Sequence, residues 1–418
     1  FQLEMYIFNS LKITNYLIIV MNINNAAILA GGFGKRLGDI TKKVPKPLLK
    51  INNLEFIKYL ILKLVTQKFK RIIILTHYKN SLFQREFHNL VIGNTKIICK
   101  FEKKPLGTGG SLAQLKRYKR DFLILNGDSY INTNFNKFSN INKNKLLKIQ
   151  LIKNTNYKSN NKLSNISIAK NNNVIFDNKK KLMNSGVYTI KKELLNKIKL
   201  KKQSFEEDII PLLINQNKVQ GYFSKNKFID IGLKKNLHDA KKILKKEFDV
   251  KAIIFDRDGT LNKNFGYVND IKKFKWLKGS IQTIKFLNFI NIKVIIATNQ
   301  SGIGRGYYSM SKFNQLNRDI NKQLKKNHAF INHVYCAPYY KNSLIKKYRS
   351  NANLRKPNNG MLIQAMKDFK LNKKNCFMIG DKVSDENAAK NSNINFYYKK
   401  NISLFNQIIK NLNSFCNN

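Results

Sequence analysis

Ala252-Ile253-Ile254-Phe255-Asp256-Arg257-Asp258-Gly259-Thr260 decides the reading of this chain. Four consecutive apolar residues bounded by polar ones predict a strand buried on both faces, as in a parallel sheet covered by helices. The strand delivers two carboxylates, Asp256 and Asp258, and Gly259 lets the chain turn away. Both acids can reach one site. One can act as a nucleophile. The other can give a proton to a leaving alkoxide and later take one from water. Acids this close repel unless a cation neutralises them, so Mg²⁺ is expected. A bare Asp-x-Asp after a strand is more often only a turn, so its partners must carry the case.

Those partners follow in order. Lys293-Val294-Ile295-Ile296-Ala297 predicts a second strand, delivering Thr298 and Asn299. Arg355-Lys356-Pro357 brings a cation for developing negative charge. Cys376-Phe377-Met378-Ile379 predicts a third strand, delivering Gly380-Asp381, with Asp385 one helical turn further on. In open α/β sheets ligands gather at the carboxyl ends of strands. This sequence of elements resembles the haloacid dehalogenase superfamily. Asp256–Asn262, Gly266-Tyr267-Val268 and Thr298–Tyr307 resemble its branch of D,D-heptose 1,7-bisphosphate and histidinol phosphatases. The resemblance covers about residues 250–398. It implies Asp256 as nucleophile and Asp258 as acid/base. Mg²⁺ would be held by Asp256, the Asp258 backbone carbonyl and Asp381. Thr298 and Lys356 would bind the transferring phosphoryl group, with Asn299, Arg305 and Arg355 on the substrate. Many members carry a Cys/His zinc loop before the Arg-Lys-Pro. Here Cys336 to Leu354 holds one cysteine and no histidine, and His333 reads as a surface residue, so no zinc is expected.

The first half alternates strands and helices as well: Ala26–Ala30, an amphipathic helix at Phe56–Val65, Arg71–Leu75 and Phe122–Leu125. After the first strand comes Gly31-Gly32-Phe33-Gly34-Lys35-Arg36-Leu37. Its glycines let backbone N–H groups approach a polyphosphate, and Arg36 adds charge. The spacing is not that of a Walker A loop. Prolines on both sides of Lys46 stiffen the backbone around that ammonium group. Together residues 29–51 resemble the sugar-1-phosphate nucleotidyltransferase family, and the likeness extends over about residues 22–245. It implies phosphate-loop contacts from Gly31, Gly32 and Gly34, and charge stabilisation by Arg36 and Lys46. Base and sugar contacts would come from Gly107, Thr108 and Gly109 of Pro105–Ser111. Mg²⁺ would sit on Asp128 and Asp230, and sugar contacts would come from Asn184, Gly186 and Glu206. Lys35 departs from the Thr or Ser more usual there. The implied reaction is attack of a sugar-1-phosphate oxygen on the α-phosphorus of a nucleoside triphosphate, releasing pyrophosphate. Pro105–Ser111 resembles heptose-1-phosphate guanylyltransferases more than thymidylyltransferases, which implies GTP.

The expected architecture is α/β in two domains. A Rossmann-like nucleotidyltransferase mixed sheet spans residues 21–245, and a doubly wound parallel sheet of haloacid dehalogenase type spans 250–418. Residues 1–20 are expected to be an extension outside the fold. Asn132–Lys181, rich in Asn and Lys, reads as weakly marked strands and loops, and the Lys179-Lys180-Lys181 run as a solvated one. The 418 residues carry 78 Lys and Arg against 24 Asp and Glu, a net charge of +54. The lysines are scattered among asparagines and isoleucines, so no nucleic-acid-binding stripe is expected. Cys99, Cys336, Cys376 and Cys416 form no CxxC pair, and no run is long enough to span a bilayer; a cytoplasmic protein is expected. Other readings stay open: another sugar or triphosphate, a histidinol-phosphatase-like second half, or a basic nucleic-acid-binding protein with decayed catalytic domains.

Overall fold

A computed structural model describes residues 23–153, 166–177, 182–343, 345–349 and 352–417. The extension at residues 1–20 and the Lys179–Lys181 run lie outside them. The described residues form two compact units. The first takes residues up to Leu49, Lys63–Leu90 and Thr95–Asn236; the second takes Lys50–Leu62, Val91–Asn94 and Leu237 onward.

The first unit is built on a mixed sheet. Its parallel part joins β1 (Asn25–Leu29), β2 (Arg71–Thr76), β3 (Thr95–Phe101) and β4 (Phe122–Asn126), with β1 between β2 and β4. β5 (Ser129–Ile131) leaves the main sheet. β6 (Leu147–Lys153), β7 (Ile166–Ile168) and β8 (Val174–Phe176) follow. β9 (Leu182–Ile190) runs antiparallel between β4 and β6, and β10 (Val219–Phe223) adds to β6 in parallel. β11 (Phe228–Asp230) pairs antiparallel with β5. The core lies on the sheet, from Ala27, Ile73 and Ile124 through Leu147, Ile149 and Leu151 to Tyr188, Phe205 and Ile210. The Asn/Lys-rich stretch was expected to carry only weak strands, but β6 is a central strand with every residue buried up to Ile152. Its Lys148 and Gln150 disguise the pattern. Lys148 is buried with its ammonium near the Phe138 and Tyr222 rings.

The second unit carries a fully parallel five-stranded sheet: β12 (Ala252–Phe255), β13 (Lys293–Asn299), β14 (His333–Ala337), β15 (Cys376–Gly380) and β16 (Asn395–Tyr398). Their order is β14-β13-β12-β15-β16. Ala252, Ile254, Ile295 and Met378 pack with Met361 and Leu362 of the helix Gly360–Asp368 to form one face of the core. The three strands that end in polar residues, β13, β12 and β15, are neighbours, so their carboxyl ends meet. No helix among the described residues is long and apolar enough to cross a membrane.

Candidate active sites

Asp256 follows β12 directly and is buried. Lys356 Nζ lies 2.6 Å from Asp256 Oδ1 and 2.6 Å from Asp385 Oδ1, and all three side chains are almost wholly out of solvent. Burial pushes Asp256 up from 3.8 to about 6; Lys356 opposes that shift, while Asp385 and Asp258 add to it. Burial also works against the Lys356 ammonium, but Asp256 and Asp385 overcome it and hold the lysine above its ordinary value.

Oxygens of Asp256, Asp381 and Asp385 lie within 4.8 Å of one another, a set suited to a hard divalent cation. Asp381 Oδ1 is buried with no hydrogen-bond partner among the described residues, which fits a cation ligand. Asp385 Oδ2 accepts from the backbone N–H of Asp381 (3.2 Å) and Lys382 (3.1 Å) at the start of the helix Val383–Asn391, which fixes the loop after β15. A Cβ on Gly259, whose φ is +95°, would sit 2.2 Å from Asp381 Oδ2. Only glycine admits both that conformation and that approach.

The Asp258 carboxylate, the acid/base candidate, is oriented by three donors. Arg257 Nη2 donates to its Oδ2 at 2.8 Å, Gln300 Nε2 to the same oxygen at 2.9 Å, and Asn262 Nδ2 to Oδ1 at 2.9 Å. Gln300 also donates to Thr298 Oγ1 (2.9 Å), which leaves the Thr298 proton free for an acceptor in the site. Asn299 was expected on the substrate. Its amide is instead taken up by the Lys356 backbone, donating to Lys356 O at 2.9 Å and accepting from Lys356 N at 3.0 Å. It anchors the lysine. Arg305 lies 3.6 Å over the Tyr340 ring, and Arg355 donates to Tyr339 O at 3.2 Å. Burial and the nearby Arg305 charge lower Arg355, so two guanidinium groups share one neighbourhood. Beside them Tyr267 and Tyr307 pack edge to face, 4.8 Å apart, both exposed. In the segment 336–354, Ser343 Oγ donates to Gly304 O at 2.6 Å, and Arg349 Nε donates to Ser343 O at 2.6 Å.

In the first unit the charged groups converge on Gly232. A Cβ built there would lie 2.8 Å from Asp230 Oδ1, 3.3 Å from Lys46 Nζ and 3.4 Å from Arg36 Nη2. Lys46 Nζ stands 3.3 Å from Asp128 Oδ2. The pairing of β11 with β5 sets Asp230 opposite Ser129 and so beside Asp128. Burial, then the Asp128 charge, raise Asp230. The phosphate-loop candidates precede this cluster: Gly34 has φ +72° and accepts at its carbonyl from Thr41 Oγ1 (3.0 Å), Gly31 passes His77, and Gly32 is exposed.

Asn184, Gly186, Thr108 and Glu206 form a second group in this unit. The pairing of β9 with β6 is interrupted between Asn184 and Tyr188, and Gly186 sits in that bulge with φ +75°. Asn184 Oδ1 accepts from Gly186 N at 2.9 Å. Thr108 Oγ1 donates to Glu206 Oε2 at 2.5 Å, and Tyr188 OH donates to Glu206 Oε1 at 3.1 Å. Gly107 and Gly109 lie in the short helix Gly107–Leu112, where Gly109 N donates to Gln203 O at 3.0 Å. Sequence reasoning gave no role to Gln300, Asn262, Arg257 or Tyr188, and noted Asp385 only by its spacing. That four-residue step from Asp381 was the one usable signal; a buried tyrosine in a strand carries none.

An aspartate at a strand end, ion-paired to a buried lysine beside two further acids, suits phosphatase chemistry, and paired acids beside Lys46 and Arg36 suit phosphate transfer. Residues 25–247 match the family described as Nucleotidyl transferase, and residues 251–407 match Polynucleotide kinase 3 phosphatase. The second half is 38% identical over 139 residues to the D-glycero-beta-D-manno-heptose-1,7-bisphosphate 7-phosphatase of Haemophilus influenzae, covering 33% of this chain and 75% of that protein. The Escherichia coli (strain K12) enzyme of the same name is 32% identical over 145 residues, 35% of this chain and 76% of its own. The crystal structure of HddC from Yersinia pseudotuberculosis is 26% identical, spans 53% of this chain and all of that one, and has a TM-score of 0.45. The chain therefore belongs to the nucleotidyl transferase family in its first half and to the family of those phosphatases in its second. It is a two-headed enzyme.

Proposed function

We propose that the second half removes the 7-phosphate from D-glycero-D-manno-heptose 1,7-bisphosphate. The first half then transfers a nucleotidyl group, GMP from GTP, to the resulting sugar 1-phosphate. The observation that carries the phosphatase reading is the buried Asp256–Lys356–Asp385 arrangement in a domain 38% identical to phosphatases of that name. In the first step an Asp256 oxygen attacks phosphorus and the bond from phosphorus to the sugar oxygen breaks. Asp258 supplies the proton to that oxygen. In the second, water attacks the aspartyl phosphate, Asp258 takes its proton, phosphate leaves and Asp256 is restored. Lys356 and the free Thr298 proton neutralise charge on the transferring group. Asn299 keeps Lys356 in place. Arg305 and Arg355, neighbours with no acid partner among the described residues, suit the phosphate that is retained. Mg²⁺ held by Asp256, Asp381 and the Asp258 backbone carbonyl, oriented by Asp385, would supply charge neutralisation at the phosphoryl group.

In the first half Asp128 and Asp230 would hold Mg²⁺, and Arg36 and Lys46 would stabilise the polyphosphate. Positioning and charge neutralisation account for most of such a transfer. The choice of GTP rests on the resemblance of Pro105–Ser111 to guanylyltransferase loops. Two successive steps on one sugar give the two halves a common purpose. The test is phosphate and pyrophosphate release by the purified protein, given Mg²⁺, the heptose bisphosphate and each triphosphate in turn. Phosphate followed by pyrophosphate with GTP alone is the expected result. Pyrophosphate with another triphosphate only would overturn the base assignment, and no phosphate release would overturn the sugar.

A further inference from the structure

Glu206 stands half-buried between two hydroxyl groups, and the direction of each hydrogen bond can be assigned. An ionised carboxylate only accepts, so the protons on these bonds come from Thr108 and Tyr188. Thr108 Oγ1 in turn accepts from Phe205 N at 2.9 Å. Its single proton and one of its lone pairs are therefore in use within the protein. Tyr188 OH reaches the other Glu206 oxygen and accepts from the Asn184 side-chain amide. Tyr188 is fully buried, and burial together with the Glu206 charge raises its phenol well above the ordinary value, so it remains a donor at neutral pH.

Two consequences follow. Thr108 has no hydroxyl proton left for a nucleotide base. Glu206 has one oxygen fixed from the short helix Gly107–Leu112 and the other from β9. A carboxylate offers about four acceptor positions, so roughly two remain for a ligand. Two open positions on a clamped, planar acid match two adjacent hydroxyls of a polyol, whereas a phosphate would be repelled.

Resting on the reading of the first half as a sugar-1-phosphate nucleotidyltransferase, we propose that Thr108 and Tyr188 are positioning residues. They clamp Glu206 as an acceptor for a pair of neighbouring sugar hydroxyls. Thr108 thereby ties the loop assigned to the nucleotide to the group assigned to the sugar, without touching the base.

The test is steady-state nucleotidyl transfer by the full chain carrying Tyr188→Phe, Thr108→Val or Thr108→Ser, with heptose 1-phosphate and GTP varied separately. Circular dichroism and thermal melting of each variant are followed as the control on folding of the first unit. Tyr188→Phe and Thr108→Val are expected to raise KM for the sugar phosphate roughly ten- to one-hundred-fold, the loss of one hydrogen bond to a charged group. KM for GTP should change less than about threefold, and Thr108→Ser should restore the wild-type sugar KM. Tyr188→Phe removes one oxygen and almost no volume, so it carries the test should Thr108→Val fail to fold. A wild-type sugar KM in Tyr188→Phe, or an equal rise in both KM values, overturns the inference while leaving the transferase reading intact. No transfer by the wild-type chain with any triphosphate overturns both.

Discussion

The two candidate sites handle charge in opposite ways. In the phosphatase half the charges are buried and already paired: one lysine sits 2.6 Å from each of two aspartates. In the transferase half Asp128, Asp230 and Arg36 stay partly open, and Lys46 reaches Asp128 only at 3.3 Å. There Lys46 is buried as well, but the group that orients the Glu206 carboxylate, Tyr188, is neutral. The difference follows from the chemistry each site is built for. A nucleophilic carboxylate must be stripped of water and held against a cation before substrate arrives. A transfer between two bound substrates needs its charges where the polyphosphate will bring countercharge, and needs rigid alignment elsewhere.

That contrast predicts an all-or-none response on one side and a graded one on the other. Asp256→Asn should lower phosphate release on the order of 10⁴-fold or more, because no other group can form the aspartyl phosphate. Pyrophosphate release from a supplied sugar 1-phosphate should persist. Full phosphatase activity in this variant would remove Asp256 as nucleophile. Lys356→Met should cost about 3–5 kcal/mol of stability in the metal-free second unit, since it leaves two buried acids without their cation. Denaturant unfolding with and without Mg²⁺ measures this, and an unchanged midpoint would break the contrast. Asp230→Asn should lower nucleotidyl transfer roughly 10²–10³-fold, the usual size for one lost electrostatic contact, and leave phosphate release alone.

The smallest expected effect concerns pH. Asp256 rises from 3.8 to about 6 on folding, so its protonated form is favoured in the native state. Its contribution to stability is therefore present below about 4 and is lost as pH climbs through about 6. Metal binding needs the ionised acids, so stabilisation by Mg²⁺ should grow over that same interval. Melting temperature with Mg²⁺ should exceed that without it clearly at pH 7.5 and hardly at pH 5. The gain should survive Asp230→Asn and shrink in Asp381→Asn. A gain independent of pH would separate the metal from these carboxylates.

Much of the phosphatase half was legible because its strands are uninterrupted apolar runs and its acids follow them directly. Ala252–Phe255 is a strand from end to end, and Asp256 is the next residue. The mixed sheet of the first half and the parallel sheet of the second are also as expected. β6 was not legible, because buried Lys148 and Gln150 interrupt its apolar pattern, and the lysine's surroundings are supplied by Phe138 and Tyr222 from elsewhere in the chain. Asn299 illustrates another limit. An amide beside a phosphate-binding threonine invites a substrate role, and only the return of the chain 57 residues later shows that the Lys356 backbone occupies it.

The sequence by itself determined the element order, the strand ends that carry Asp256, Thr298, Asp128 and Asp381, and the two chemistries, because these depend on local pattern. Tertiary structure decided which acid meets which cation. It brought Asp385 to Lys356, turned the Asp258 carboxylate to Gln300, and closed Thr108 and Tyr188 on Glu206. Those pairings join residues distant in the chain, and hydrogen bonds and ion pairs act only over a few ångströms, so no local pattern could specify them.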